Sequence, residues 1–240
     1  MFGLRKERPV QRGRRLGSDL HAHLVPGVDD GVRTIEEAVE CIRGLAALGY
    51  DGCVVTPHIY NDLYPNTRES LEQAFQNLSR ELAAREVTFR LQLAAEYFGD
   101  NHFIDLAESA PLLSFPENGH SNVLIEFPYI GEPLYWADVL SAAVRRGCRP
   151  VIAHPERYRY LAADLETWLE RFSSFGVTYQ CDLGSLVGQY GHSAARTVRA
   201  MSDRRLVKYW GTDLHRPSQL DRFIRPAIDQ VNDREQLNPL

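Results

Sequence analysis

The chain has 240 residues, 44% of them hydrophobic and 25% charged, with a formal net charge of −5. That excludes a fibrous or low-complexity chain and describes a globular one, able to bury roughly three quarters of its unfolded surface without disulfide staples. The acidic balance argues against nucleic-acid binding by the body of the protein.

The first residues differ from the rest. Arg5, Lys6, Arg8, Arg12, Arg14 and Arg15 are opposed by Glu7 alone. Residues 1–16 read as a solvated basic tail, or as a tether to an acidic partner or to anionic lipid. No apolar stretch of about 7–15 residues follows, so a signal peptide is not expected. No run of about 18 apolar residues occurs, so no transmembrane segment is expected.

The first strand spans residues 17–23. Asp19, His21 and His23 sit at spacing two, which puts them on one face and turns Leu20 and Ala22 into a core. The loop Pro26-Gly27-Val28-Asp29-Asp30-Gly31 brings carboxylates back towards that face. Thr34 and Glu37 form the capping box of a helix whose stripe is Ile35, Ala38, Val39, Ile42, Leu45 and Ala46, with Gly49 as its stop. A buried strand over 52–56 ends at Pro57-His58. Thr67 opens an amphipathic helix to about residue 85, with Leu71, Ala74, Phe75, Leu78 and Leu82 as its stripe. A strand over 89–95 ends at Glu96, and a short helix over 102–108 leads to a loop holding Pro111, Pro116 and Gly119. A strand over 122–126 ends at Glu126, a helix follows over 134–146, and a strand over 150–153 ends at His154. Helix 165–175, strand 177–182, helix 192–202 and strand 206–210 complete the alternation, with Asp213 and His215 just beyond the last strand and a final helix over 217–231.

Seven short apolar strands alternating with helices imply parallel strands joined by helical crossovers. The fold class is α/β, and a barrel over 17–232 is preferred to an open sheet, with residues 233–240 as a C-terminal tail. No GxGxxG or P-loop pattern follows any strand. Polar residues punctuate the carboxyl ends of nearly all of them, and in a βα-barrel those ends converge on one mouth.

His21, His23, His58, Glu96, Glu126, His154, Asp213 and His215, joined by Asp30 from the first loop, form an imidazole and carboxylate set without thiolate. That set suits Mn²⁺, Fe or Zn²⁺ in a hydrolytic site, and nine ligands are enough for two or three ions. His102, His120 and His192 have no such placement and read as surface or helix-end residues.

The segments Asp19-Leu-His21-Ala-His23, Thr56-Pro-His58, Ala95-Glu96-Tyr97, Leu124-Ile-Glu126-Phe127, Ala153-His154-Pro-Glu-Arg157-Tyr158 and Gly211-Thr-Asp213-Leu-His215 together resemble the PHP (polymerase and histidinol phosphatase) superfamily. Within it, the chain looks like the CpsB/CapC/YwqE-like manganese-dependent tyrosine phosphatases of bacterial capsule and exopolysaccharide clusters, over about residues 17–220. The resemblance implies a distorted (β/α)7 barrel with a trinuclear site. It assigns His21, His23, Glu96 and Asp213 to one ion, Glu96, Glu126 and His154 to a second, and Asp30, His58 and His215 to a third. Other branches often carry His where Asp30 and Glu126 stand, and the carboxylates here favour a hard cation such as Mn²⁺. One departure is Thr212-Asp213-Leu214-His215-Arg216, where members usually read Ser-Asp-x-His-Asn; Arg216 adds a cation beside the metals.

The activity implied is hydrolysis of phosphotyrosine by a metal-bridged hydroxide, on the tail of a bacterial tyrosine autokinase that controls capsular or exopolysaccharide synthesis. The chain would then be cytoplasmic, brought to the inner face of the membrane through that partner. Arg157 is expected to clamp the phosphate, with a salt bridge to Glu156 or the rim as the alternative. Asp19 is expected to orient a ligand histidine from behind. Tyr60, Tyr97, Tyr129 and Tyr158 follow the metal motifs and either wall an aromatic substrate pocket or pack in the rim. The rival readings are a PHP phosphoesterase acting on histidinol phosphate, a nucleotide or a sugar phosphate, and a metal-binding regulatory module without turnover.

The cysteines exclude one other chemistry. Cys41, Cys53, Cys148 and Cys181 form no CxxC pair and read as reduced core residues of a cytosolic protein. A cysteine-dependent tyrosine phosphatase needs an arginine six residues after its nucleophile; here those positions hold Ala47, Ile59, His154 and Val187.

Overall fold

The computed structural model describes residues 15–231. The basic residues from Arg5 to Arg14 and the C-terminal tail lie outside that range. Leu16, at the end of the expected tail, already belongs to the folded body: it is buried, and its N–H donates to Gly49 O at 3.0 Å.

Seven parallel strands form a ring. They are β1 (Gly17–Ala22), β2 (Tyr50–Val55, resumed at His58–Ile59), β3 (Arg90–Leu93, resumed at Glu96–Phe98), β4 (His120–Glu126), β5 (Cys148–Ala153), β6 (Thr178–Asp182) and β7 (Val207–Gly211). Each pairs in parallel with the next, from β1 through to β7. The ring closes where Ala22 bridges Leu214 in parallel, with His23 N–H donating to Leu214 O at 3.0 Å and Asp213 N–H to His21 O at 2.8 Å. This is the expected seven-stranded barrel. It is distorted because β2 breaks at Thr56-Pro57 and β3 at Ala94-Ala95; Pro57 offers no N–H to the ladder. Beyond the breaks the register sets His58 beside Glu96, and Phe98 beside Glu126.

Two cores result. A small one inside the barrel is built from Leu20, Val54, Leu124, Val151, Ala153 and Tyr209, with Phe115 among them. The larger one fills the space between barrel and helices and holds Ala22, Cys53, Val55, Ile125, Ile152, Cys181 and Trp210. Leu20 and Ala22 therefore go to different cores, although strict alternation puts them on one face. The β1–β2 register shifts between Asp19 and Ala22, and that irregularity breaks the alternation just where the histidines begin.

The helices follow the expected stripes. The Thr34 hydroxyl accepts from Glu37 N–H at 3.3 Å, and Gly49 stops α1 (Ile35–Leu48) at φ 105°. Glu37 reaches back to Arg33 N–H, one residue before the cap itself. In α2 (Arg68–Ala84) Thr67 and Ser70 close a capping box. The loop expected after residue 110 contains a strand, Phe115–Glu117, antiparallel to the start of β4. Asn118 and Gly119 both have positive φ, the turn that an Asn-Gly pair favours between strands. No helix among the described residues is long and apolar enough to cross a membrane.

Candidate metal centre

Glu96 stands where β3 resumes, 1% exposed, and four imidazoles from three places in the chain face it. Its Oε2 lies 3.2 Å from His21 Nε2, 3.3 Å from His23 Nε2 and 3.2 Å from His58 Nδ1; its Oε1 lies 2.9 Å from His154 Nε2. Asp213 Oδ1 lies 3.4 Å from His21 Nε2, 3.3 Å from His23 Nε2 and 3.5 Å from His215 Nδ1. Asp30 Oδ1 lies 3.6 Å from His58 Nε2 and 3.4 Å from His215 Nε2. Glu126 flanks the far side, 3.6 Å from His154 Nε2.

All nine residues singled out in the sequence thus share one cluster. Their ligand atoms fall into overlapping groups within 4.8 Å: His23, Asp30, His58 and His215; His21, His23 and Asp213; His21, Glu96 and His154; and His58, Glu96 and Glu126. A further group joins Asp182 to His154 and Asp213.

The donor set fits divalent cations. His21 Nε2 and His23 Nε2 approach to 3.1 Å, both aimed at the same two carboxylates. Behind each ring an acceptor holds the other nitrogen: Gln180 Oε1 at 2.8 Å from His21 Nδ1, and Asp29 Oδ2 at 2.8 Å from His23 Nδ1. With the proton drawn to Nδ1, each Nε2 offers its lone pair to a metal. The buried Nδ1 of His58, although 3.2 Å from Glu96 Oε2, makes no hydrogen bond. A ring nitrogen left so beside a carboxylate is what a cation would satisfy.

The electrostatics describe a cluster short of positive charge. Burial works against a charged His21, but Glu96 and Asp213 outweigh it and raise the imidazole to about 10. Burial, reinforced by the charge of Glu96, lifts Glu126 to about 8. Burial and the Arg157 cation lower His154 to about 4. Without metal, protons gather on the groups between the carboxylates; a cation competes with them for the same lone pairs.

Backbone conformation adds to the positioning. His154 and Asp213 have φ of 30° and 49°, a left-handed region costly for non-glycine residues, about 1–3 kcal/mol each. His154 O accepts from Arg157 N–H at 3.0 Å, and the Asp213 N–H bond to His21 O holds the second turn. Gly31 is needed for close approach: a Cβ there would lie 2.5 Å from His23 Cβ and 2.8 Å from Asp29 Oδ1.

Arg157 reaches this cluster from the turn after β5. Its Nη1 donates to Asp213 Oδ2 at 2.8 Å and Asp182 Oδ2 at 3.3 Å. Its guanidinium lies between the rings of Tyr129 and Tyr190, 4.6 and 4.1 Å from their centroids. The alternative bridge to Glu156 does not form: Glu156 Oε1 instead accepts from Asp182 N–H and Ser185 Oγ.

Several other expectations need correction. Asp19 does not touch an imidazole. Its carboxylate accepts from Thr212 N–H and Oγ and from His21 N–H, so it fastens β1 to the end of β7 at the ring closure. Tyr97 and Tyr158 do not wall a pocket. Both are buried, Tyr97 Oη accepting from Leu113 N–H and Tyr158 Oη lying between Ala153 O and Phe127 N–H. Tyr60 is in the rim, stacked on Phe98 at 4.0 Å. Tyr129 does face the site, donating a short hydrogen bond to Glu126 Oε1. The Arg216 guanidinium does not point at the ligands; it binds the carbonyls of Asp30, Gly31 and His215 and ties the first loop to the last strand end.

Sequence reasoning passed over Asp29, Gln180, Asp182 and Tyr190. The first was overshadowed by its neighbour Asp30. Gln180 and Asp182 close β6, so the strand-end rule that found the other ligands pointed to them too. Tyr190, whose hydroxyl donates to Asp213 Oδ2 at 3.0 Å, had no local signal.

Comparison with known proteins agrees with this architecture. The chain is 29% identical over 218 residues to the tyrosine-protein phosphatase CpsB of Streptococcus agalactiae, covering 87% of each. It is 28% identical over 199 residues to the tyrosine-protein phosphatase YwqE of Bacillus subtilis, covering 82% of this chain and 76% of that one. A solved structure from work on YwqE of Bacillus subtilis and CpsB of Streptococcus pneumoniae, described as metal-dependent tyrosine phosphatases, superposes with a TM-score of 0.78 at 26% identity, covering 92% of this chain and 88% of the other. The family model for capsular polysaccharide synthesis, CpsB/CapC, matches residues 17–236, and the chain belongs to that family.

Proposed function

We propose that this chain is a metal-dependent protein-tyrosine phosphatase, working with two or three Mn²⁺ ions on the phosphotyrosine tail of a bacterial tyrosine autokinase in the cytoplasm. The observation that carries the reading is the convergence of four imidazoles on the single buried carboxylate of Glu96. His21, His23, Glu96 and Asp213 would hold one ion, Glu96, Glu126 and His154 a second, and Asp30, His58 and His215 a third. Bound cations of this kind lower the pKa of water to near neutrality and act as Lewis acids towards phosphoryl oxygens.

The chain's own residues supply the rest. Gln180 and Asp29 keep His21 and His23 in the tautomer that presents Nε2. The guanidinium of Arg157, held beside Asp213 and flanked by two rings, is placed to take the non-bridging oxygens of a phosphate through N–H groups that Asp213 and Asp182 leave free. A phenolate leaving group, with a conjugate-acid pKa of about 10, needs less protonation than an alkoxide would. That suits a site where the Tyr129 hydroxyl beside Glu126 is already committed to the carboxylate.

The test is phosphate release from phosphotyrosine peptides by the metal-loaded chain, set against histidinol phosphate, nucleotides and sugar phosphates. The peptides are expected to be preferred and activity to vanish on chelation; a steady preference for a metabolite would overturn the assignment. Metal analysis of the chain as isolated decides between Mn, Fe and Zn.

A further inference from the structure

We infer that Gln180 and Asp182, at the carboxyl end of β6, are positioning residues that couple the imidazole of His21 to the guanidinium of Arg157. The inference rests on the metal-dependent reading above and says how that site is held in register.

Both side chains are buried, Gln180 at 1% and Asp182 at 0% exposure. The backbone N–H of His154 can only donate, and it meets Gln180 Oε1 at 3.4 Å, so the amide nitrogen is turned to Asp182 Oδ1 at 3.0 Å. Gln180 Oε1 also faces His21 Nδ1 at 2.8 Å. An acceptor at Nδ1 keeps the His21 proton there and turns the Nε2 lone pair towards Glu96 and Asp213. The other oxygen of Asp182 accepts from Arg157 Nη1. One carboxylate thus orients the amide that sets a ligand and holds the cation beside the phosphate position. Asp182 is itself anchored, because its N–H donates to Glu156 Oε1 at 2.8 Å.

A second observation is independent of these hydrogen bonds. Gly211, paired with Asp182 across β6 and β7, keeps the backbone bare where the amide lies. A Cβ at Gly211 would stand 2.6 Å from Gln180 Nε2 and 2.6 Å from His21 Cβ. The space for this amide against this imidazole is made by the absence of a side chain on the neighbouring strand.

The test is calorimetric titration of Mn²⁺ into the metal-stripped full chain, with kcat and KM for p-nitrophenyl phosphate measured at saturating Mn²⁺. Gln180→Leu is expected to weaken Mn²⁺ binding by about 10–100-fold, the usual cost of losing an outer partner of a metal-binding histidine, with KM near wild type. Gln180→Met keeps the length of the side chain and removes both polar atoms, and is expected to weaken Mn²⁺ binding as well; it carries the test if Gln180→Leu does not fold. Asp182→Asn keeps an acceptor for the amide but loses the charge facing Arg157. It is expected to bind Mn²⁺ normally and to raise KM about tenfold, the scale of one charge-assisted hydrogen bond. Asp182→Leu should move both readouts. Wild-type Mn²⁺ affinity in Gln180→Leu and Gln180→Met, with only a lower melting temperature, would reduce Gln180 to packing and overturn the proposal. A change in only one readout for Asp182→Leu would overturn the coupling. If the wild-type chain takes up no divalent metal at all, the metal-dependent reading itself falls, a distinct outcome.

Discussion

Asp29 accepts the Nδ1 proton of His23 at 2.8 Å through the same oxygen that accepts His58 N–H at 3.0 Å. Its other oxygen accepts Gly31 N–H at 2.8 Å. One carboxylate from the first loop therefore sets the tautomer of the residue just past β1, the backbone of a residue on β2 and its own turn. Replacing Asp29 by Ala is expected to lower Mn²⁺ affinity by about 10–100-fold, measured by calorimetric titration. Unchanged affinity would show that His23 is oriented by its packing between His58 and His215 alone.

The charge balance gives the metal-free chain a defined pH dependence. His21 is raised from 6.5 to about 10, so its contribution to stability is full below 6.5 and is lost as pH rises to about 10. Glu126, raised by burial from 4.5 to about 8, is destabilising once ionised and loses stability over that span. His154, lowered to about 4 by burial and Arg157, has the opposite sign: stability is lost as pH falls from 6.5 towards 4, which offsets Glu126 there. The metal-free chain should therefore lose stability steadily from about pH 6.5 to 10. Denaturant midpoints with chelator should show that fall, and Mn²⁺ should flatten it, since the cation replaces the protons.

Arg157→Lys keeps the charge but loses the planar fork and the stacking between Tyr129 and Tyr190. We expect kcat/KM for aryl phosphates to fall by about 10²–10³-fold, the scale of removing one donor to a developing oxyanion, while Mn²⁺ affinity changes much less. Steady-state kinetics at saturating metal check this.

Thiol chemistry should be irrelevant to turnover. Burial, reinforced by neighbouring carboxylates, pushes the Cys41 thiol up to about 12, and burial holds Cys53 well above its usual value. Cys181 is buried as well, leaving only Cys148 half-buried. Iodoacetamide near neutral pH should modify Cys148 at most and leave phosphatase activity intact, as mass spectrometry with an activity assay would show. Loss of activity on alkylation together with retention under chelator would sink the metal mechanism.

Tyr158→Phe should separate structure from catalysis. Its hydroxyl donates to Ala153 O at 2.6 Å and accepts from Phe127 N–H at 2.9 Å, both buried. Removing it leaves two backbone groups unpaired, at a cost of about 1–3 kcal/mol in stability. Chemical denaturation should show that loss, with kcat/KM unchanged.

The sequence by itself determined the order of strands and helices and the polar residues that end the strands. Both follow from short-range physics: side-chain periodicity, capping residues, and the rule that parallel strands point their carboxyl ends one way. His21 and His23 were legible by their spacing of two, and His58, Glu96, Glu126, His154, Asp213 and His215 because each closes or follows an apolar strand. What the side chains do behind that first layer was decided only by the tertiary structure. Asp19 has the spacing of a third member beside His21 and His23, yet the register shift in β1 turns it onto Thr212. Tyr97 and Tyr158 sit one and four residues after Glu96 and His154, yet their rings find buried space and backbone partners. Gln180 and Asp29 orient the imidazoles in place of Asp19, because hydrogen-bond partners 159 and 6 residues away along the chain are chosen by how the ring closes rather than by local pattern. Closure at Ala22 and Leu214 brings the two ends of the barrel together, and no window of sequence contains it.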